Sequence, residues 1–283
     1  MSDRPTDTRT PFAPPSTAVV FENGMWRSRT LTAVSYPEEG NDACLAVEEG
    51  SYWFRHRNDM IVAAVRRYPP SGPIYDMGGG NGFVSLAMER TGNAVVLVEP
   101  GSGARNAVRR GVTNVIHGTL EDAAFEETSI DAVGVFDAVE HIEHEHRVLN
   151  GIHRVLVPGG RVYCDVPAGR WLWSEEDVTA GHFLRYTRSS LRDWFQRAGF
   201  QVEFLSSFFS WLHLPILLFR TLPYRLGRHR PVTPDHAATK ADHSLPAPLR
   251  PIAAAAHRWE LERISRGATT PLGTSLICVA RSA

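Results

Sequence analysis

The run Pro73-Ile74-Tyr75-Asp76-Met77-Gly78-Gly79-Gly80-Asn81-Gly82-Phe83-Val84 constrains this chain more than any other stretch. A short apolar segment ends in Asp76, glycines follow, and a helical pattern opens at Phe83. This predicts a strand, a tight turn and a helix. Gly78 and Gly80 let the backbone turn sharply and approach a ligand with no Cβ in the way. The amides that open the next helix then face that ligand. Dinucleotide enzymes place G-x-G-x-x-G at the same point, so the turn alone does not choose a ligand. Here the glycine spacing departs from that pattern, and an acid stands directly before it. A second apolar run over 94–98 ends in Glu99. A carboxylate at the tip of a second strand suits the two hydroxyls of a ribose.

Strand and helix patterns then alternate. Strands are predicted over 74–77, 95–98, 115–117, 130–136, 161–166, 201–207 and 275–280. Helices are predicted over 83–90 and 103–110, near 145–156, and over 189–198. Ser189 or Ser190 would cap the last of these and Gly199 would close it. Such alternation gives an α/β fold, Rossmann-like, with a seven-stranded mostly parallel sheet and helices on both faces. Ahead of it, 19–41 reads as a small hairpin or an irregular arm. The stretch 45–67 reads as one helix or two, stopped by Pro69-Pro70-Ser71-Gly72-Pro73.

A chain of 283 residues suits one large domain over 19–283, behind a polar, Pro-rich tail over 1–18 that is expected to be disordered. That tail lacks the apolar core of a signal peptide. Net charge is −1, so nothing advertises a polyanionic partner, and no nucleic acid is expected. Cys44, Cys164 and Cys278 have neither disulfide nor zinc spacing, which points to a reducing cytoplasm. Nothing in the sequence selects an oligomeric state.

Asp76-Met77-Gly78-Gly79-Gly80-Asn81-Gly82 resembles the first motif of class I S-adenosylmethionine-dependent methyltransferases. Glu99 resembles their ribose-binding acid. Val155-Leu156-Val157-Pro158-Gly159-Gly160-Arg161-Val162 resembles their L-x-P-G-G turn before the fifth strand. The resemblance covers 52–208, with the three motifs in the family's order. It implies S-adenosylmethionine as cofactor and a last strand inserted antiparallel between strands five and six. The cofactor contacts it implies are Asp76, Gly78, Gly80 and Asn81 at the turn, with Glu99 on the ribose and Pro100 beside it. Thr119 and Leu120 fall at the adenine side and Phe136 after strand four. The family often has an acid where Thr119 stands, so Glu121 or Asp122 would serve instead. Tyr52-Trp53-Phe54-Arg55-His56-Arg57-Asn58 resembles an aromatic-arginine segment of one subgroup. It either packs aromatics on the sheet or brings Arg55 or Arg57 to the cofactor's carboxylate, as a guanidinium fork can.

The catalytic candidates are His182, His141 and Tyr186. His182 and Tyr186 lie in a segment that resembles the subgroup's G-H-x-x-R-Y-T stretch, over the acceptor pocket. There Trp171 and Trp173 would wall an apolar acceptor, and His182 would serve as a general base. Arg185 and Tyr186 would orient a polar group or tie the loop to the sheet. A Glu-His pair such as Glu140-His141 is usually structural in this family. Asp137-x-x-Glu140-His141 also resembles the E-x-x-E-H metal pattern of plant small-RNA 2′-O-methyltransferases and ubiquinone-pathway O-methyltransferases. With His182, these residues would hold Mg²⁺ or a transition ion, which lowers the pKa of a hydroxyl acceptor.

An insertion is expected around 208–266. Its first part, 208–222, is apolar and aromatic but too short and interrupted to span a bilayer. It reads as a core helix or a lid, or as a surface that grips a greasy acceptor or makes peripheral membrane contact. The polar stretch 224–250 is expected to be a mobile loop, and 251–266 a helix. The expected function is methyl transfer to an oxygen or nitrogen of a small, partly apolar molecule. The alternatives are an RNA or peptide methyltransferase, for which the arginines of 225–230 are the only basic candidates, and a non-catalytic S-adenosylmethionine-binding protein.

Overall fold

The computed structural model describes residues 16–32, 38–228 and 247–283. The expected tail over 1–15, and His229, Arg230, His236 and His243 of the expected loop, lie outside the described residues. Ser16, at the end of that tail, is held by a 2.6 Å bond from its Oγ to the Ala123 carbonyl.

The described strands are β1 (Val19–Glu22), β2 (Met25–Ser28), β3 (Ile74–Met77), β4 (Val95–Glu99), β5 (Val115–His117), β6 (Ile130–Phe136), β7 (Leu156–Pro167), β8 (Phe200–Phe208) and β9 (Ser275–Ser282). They form one sheet in the order β1-β2-β5-β4-β3-β6-β7-β9-β8. The sheet thus has nine strands rather than seven. The extra pair is an antiparallel hairpin turned at Asn23 and Gly24, both at positive φ. Its second strand lies parallel to β5, pairing Trp26 with Ile116. β9 runs antiparallel between β7 and β8, as the resemblance implied.

The helices are α1 (Glu38–Leu45), α2 (Tyr52–Arg67), α3 (Phe83–Glu89), α4 (Gly103–Arg110) and α5 (Glu145–Val155). Further on come α6 (Glu175–Ala180), α7 (Arg188–Arg197), α8 (His213–Ile216), α9 (Leu222–Arg225) and α10 (Arg250–Ser265). Consecutive strand residues face opposite sides, so β3 and β4 feed two cores. Met60, Ile61, Met88 and Ile264 of α2, α3 and α10 pack on Ile74 and Val95. Leu149, Ile152, Leu191 and Phe195 of α5 and α7 pack on Val96, Val133 and Cys164 beyond. Cys164 and Cys278 sit directly opposite one another across β7 and β9 as buried free thiols. The cap of α7 is Thr187, two residues before the predicted start. Its hydroxyl accepts from the Ser190 amide at 3.1 Å, and Ser190 Oγ accepts from the Thr187 amide at 2.9 Å.

After β8 the chain runs through a 3₁₀ turn (Ser210–Leu212), α8, a π turn (Leu217–Thr221) and α9. Among the described residues no helix is long and apolar enough to cross a membrane. The 209–225 segment lies over the carboxyl-end side of the sheet, where Trp211, Leu212, Pro215, Ile216, Phe219 and Arg220 line a cavity. It forms one wall of that cavity rather than a core helix, and is termed the lid for that position.

Candidate active site

That cavity has a volume of about 790 Å³ and reaches from the glycine turn to the lid. At its floor, β3 delivers Asp76, and Gly78 (φ 69°) and Gly80 (φ 52°) take the left-handed conformation that side chains disfavour. Glu99, at the end of β4, accepts the Gly80 amide on Oε2 at 2.9 Å and the Gly101 amide on Oε1 at 2.7 Å. Each oxygen keeps a lone pair for a further donor, the pattern a ribose diol needs. Burial pushes the Glu99 carboxyl up, and the two amides oppose that. Pro100, Thr119, Leu120 and Phe136 line the same cavity. Glu121 also lines it. Asp122 is engaged elsewhere, accepting from the amides of Thr119 (3.0 Å) and Thr32 (3.1 Å).

The roof over this end has no counterpart in the sequence motifs. Asn41 and Cys44 of α1, with Glu48 just beyond, line the cavity. Asn81 latches them down: its amide donates to the Asn41 carbonyl at 2.7 Å and to Glu48 Oε1 at 3.2 Å. Asn106 of α4 donates back to Asn81 Oδ1 at 3.0 Å, and Arg110 pairs with Glu48 at 2.6 Å. The Asn81 side chain thus serves the roof, while its turn faces the cavity.

Of the two candidate arginines, Arg55 lies outside the cavity, exposed and donating to the Glu49 carbonyl at 3.0 Å. A helix turns about 100° per residue, so Arg57 points inward instead. It lies 5.2 Å from the Trp53 ring centroid and 5.3 Å from that of Phe54, and Nη1 donates to Asp137 Oδ2. Asp137 is thereby committed to an ion pair and does not join the expected metal group. Around it sit buried acids. Burial and the Asp137 charge push Glu140 well above the carboxylate range, and the same causes push Asp165 up. Burial likewise pushes Asp76 up to about 6, against a bond from Ser85 and the Arg57 charge.

On the acceptor side, the α6 loop holds His182. Its Nδ1 lies 2.9 Å from Asp177 Oδ1, and the Arg185 Nε–H donates to the same oxygen at 2.6 Å. The Ser174 amide donates to Asp177 Oδ2 at 2.9 Å within a capping box. Burial opposes the Asp177 charge, but the bonds from His182 and Arg185 outweigh it and hold the carboxyl below its usual range. In a neutral His182 ring an ionised Asp177 favours the proton on Nδ1, which leaves Nε2 as the acceptor. The His141 ring meets His182 edge-on at 4.8 Å, and burial together with His182 pushes it down to about 4. Glu140, His141 and His182 can bring ligand atoms within 4.8 Å of one another.

Two expectations about this side do not match the structure. Tyr186 is buried in the core, because its bridge to Ala168 and its amide bond to the Pro167 carbonyl tie it to the end of the interior strand β7. Trp171 and Trp173 do not line the cavity either. Its apolar walls come from Tyr52 and Trp53 of α2 and from the lid. Asp177, absent from the sequence candidates, stands five residues before His182 at a helix start; that acid-to-histidine spacing was the available signal.

A glycine turn at the first strand, an acid ending the second and a strand order reversing beside the cavity define a nucleotide-cofactor fold of the doubly wound class. A family model described as a methyltransferase domain matches residues 53–204. The chain belongs to the class I S-adenosylmethionine-dependent methyltransferase family. It is 23% identical over 172 residues to a Mycolicibacterium smegmatis protein named "Probable S-adenosylmethionine-dependent methyltransferase", covering 59% of this chain and 66% of that one. It is 27% identical over 119 residues to the Brucella anthropi ubiquinone/menaquinone biosynthesis C-methyltransferase UbiE, covering 38% of this chain and 45% of that one. The matches thus span less than two thirds of these relatives. Among solved structures, the complex of the Haloferax volcanii Trm112 methyltransferase activator with a methyltransferase aligns at TM-score 0.54 and 20% identity, covering 85% and 95% of the two chains. The cyclase SpnF aligns at TM-score 0.53 and 17% identity, covering 90% and 99%. At these identities the likeness is one of fold, and a cyclase among the neighbours shows that this fold does not dictate the chemistry.

Proposed function

We propose that this protein transfers the methyl group of S-adenosylmethionine to an oxygen or nitrogen of a small, partly apolar acceptor. The observation that carries the reading is the Asp177–His182 pair on the wall of the cavity that also holds the glycine turn and Glu99. The cofactor, when bound, supplies a methyl group on a cationic sulfonium. Glu99 would hold its ribose, the Asp76–Gly80 turn its methionine part, and Arg57, whose buried Nε makes no hydrogen bond, its carboxylate. His182 Nε2 would take the proton that the acceptor gives up. Tyr52, Trp53 and the lid would exclude water and seat an apolar acceptor. The test is release of S-adenosylhomocysteine when the protein is offered small apolar phenols and amines. Release with no member of such a panel, from protein that binds the cofactor, would overturn the reading.

Two further results are expected. Glu99→Ala weakens S-adenosylmethionine by about 1–3 kcal/mol in calorimetry, the cost of leaving polar partners unpaired. Asp76, pushed up to about 6, binds a cationic ligand best when ionised. Cofactor affinity therefore falls as pH drops through that value, severalfold per unit, and Asp76→Asn removes this dependence. A flat affinity profile in the unsubstituted protein would remove Asp76 from the site.

A metal-assisted version rests on Glu140, His141 and His182. Two imidazoles and a carboxylate suit a divalent ion, which would acidify a hydroxyl acceptor.

A further inference from the structure

The lid has two faces. Inward, Pro215, Ile216 and Arg220 line the cavity, and the buried Thr221 hydroxyl donates to the Leu172 carbonyl at 2.9 Å. Outward, Leu214, Leu218, Leu222 and Leu226 recur every fourth residue and are 60%, 45%, 46% and 65% exposed. Phe219 does both: it lines the cavity and is 69% exposed, so it stands at the mouth. Trp171 extends the stripe, 46% exposed, with its carbonyl accepting from Arg225 at 3.0 Å. Contiguous apolar side chains in water mark a surface made to be covered.

The charge of the segment indicates what covers it. From 208 to 228 the chain carries Arg220, Arg225 and Arg228 and no Asp or Glu. Arg225 and Arg228 are exposed beside the leucines. Arg220 is already paired with Glu176 at 3.3 Å, so Arg225 and Arg228 edge the stripe as its cations, and such a stripe complements an anionic lipid surface, whose acyl boundary takes leucine and tryptophan and whose headgroups take guanidinium. The thirteen residues of 213–225 would span about 20 Å, too little to cross a hydrocarbon core of about 30 Å, so the helix would lie in the interface.

We propose that the outer face of the 213–226 lid seats this protein on an anionic bilayer surface, with the cavity mouth at Phe219 opening toward the acyl boundary. The proposal goes beyond methyl transfer and does not depend on which acceptor is used.

The test is flotation of the full chain with phosphatidylcholine vesicles and with equal mixtures of phosphatidylcholine and phosphatidylglycerol. Binding is expected to the anionic vesicles and to weaken with salt. Leu218→Ser with Leu222→Ser should lower the partition coefficient about tenfold or more. Arg225→Gln with Arg228→Gln should lower it about fivefold per arginine. None of these four side chains lines the cavity, so S-adenosylmethionine affinity should stay unchanged and report an intact fold. Absence of binding to either vesicle, or variants that float like the unsubstituted protein, would overturn the proposal. So would a lipid-free dimer that Leu218→Ser with Leu222→Ser dissolves in a protein that ignores vesicles, because the stripe would then be an interface between copies.

Discussion

His182→Ala should lower kcat by about 100-fold or more while S-adenosylmethionine affinity stays near that of the unsubstituted protein. The sulfonium is already a good leaving group, so the protein must chiefly position the acceptor and remove its proton. Asp177 is fully shielded from water, and one of its oxygens receives both His182 and Arg185. A buried carboxylate in that position fixes the ring, fixes the tautomer and stabilises the imidazolium that forms. Asp177→Asn keeps the shape but presents an amide, whose NH₂ cannot accept from Nδ1–H. It should therefore also reduce kcat, with cofactor affinity unchanged and the loss steepest for hydroxyl acceptors. An amine acceptor needs to lose only one proton and should be hurt less. A fully active His182→Ala would remove this histidine from the chemistry. Chelation separates the two versions of the mechanism. If Glu140, His141 and His182 hold a metal, EDTA abolishes turnover and a divalent ion restores it, and Glu140→Gln mimics the chelator. If the Asp177–His182 pair works alone, turnover is indifferent to EDTA.

Much of the architecture was legible because the central strands are buried on both faces and read as unbroken apolar runs. Strands 74–77, 115–117 and 130–136 and helix 103–110 fall where the pattern predicts them. The hairpin was only half-legible. Asn23-Gly24 is a strong two-residue turn signal, but strands of four residues leave little alternation on either side. The floor of the cavity was readable because a glycine turn after one apolar run and an acid ending the next stand in plain view in the sequence. The roof was not, since Asn41 and Glu48 act through long-range bonds to Asn81 that no local pattern encodes. The same holds for Arg57 over Arg55: a two-residue step turns the side chain to the opposite side of α2, and both are arginines. Tyr186 misleads because a tyrosine beside a histidine in a loop looks catalytic until a backbone bridge fixes its direction.

Glu260→Ala should destabilise the fold by about 3–5 kcal/mol, because several buried donors lose their acceptor at about 1–3 kcal/mol each. Glu260 lies on α10 with no exposure, yet it holds the point where the lid leaves the sheet. Its carboxylate accepts from the amides of Phe209 (2.9 Å) and Ser210 (2.7 Å), from Ser210 Oγ (2.5 Å) and from His56 Nε2 (2.7 Å). These bonds keep Phe209 at φ 57°, a left-handed conformation that a bulky residue adopts only under constraint, with its ring stacked on Trp53 at 5.6 Å. Removing the carboxylate leaves His56 and two amides buried without their acceptor and releases the hinge. At roughly 2–4 °C per kcal/mol for a chain of this size, Tm should fall by about 10 °C. Acid provides a second readout. Burial would raise the Glu260 carboxyl, but the bonds from His56 and Ser210 outweigh it and hold the value below the ordinary 4.5. A carboxyl lowered by folding stabilises above its unfolded value, and that contribution is lost as pH falls through the folded one. The unsubstituted protein should therefore lose stability as pH falls below the ordinary 4.5, and Glu260→Gln, which keeps one acceptor oxygen, should flatten that limb and lose less Tm than Glu260→Ala. Because Tyr52 and Trp211 meet edge-on at 5.9 Å beside this hinge and both line the cavity, the Glu260→Gln protein should also show a raised KM for its acceptor with cofactor affinity intact. Unchanged Tm and unchanged KM would show that the lid is held by its apolar contacts alone.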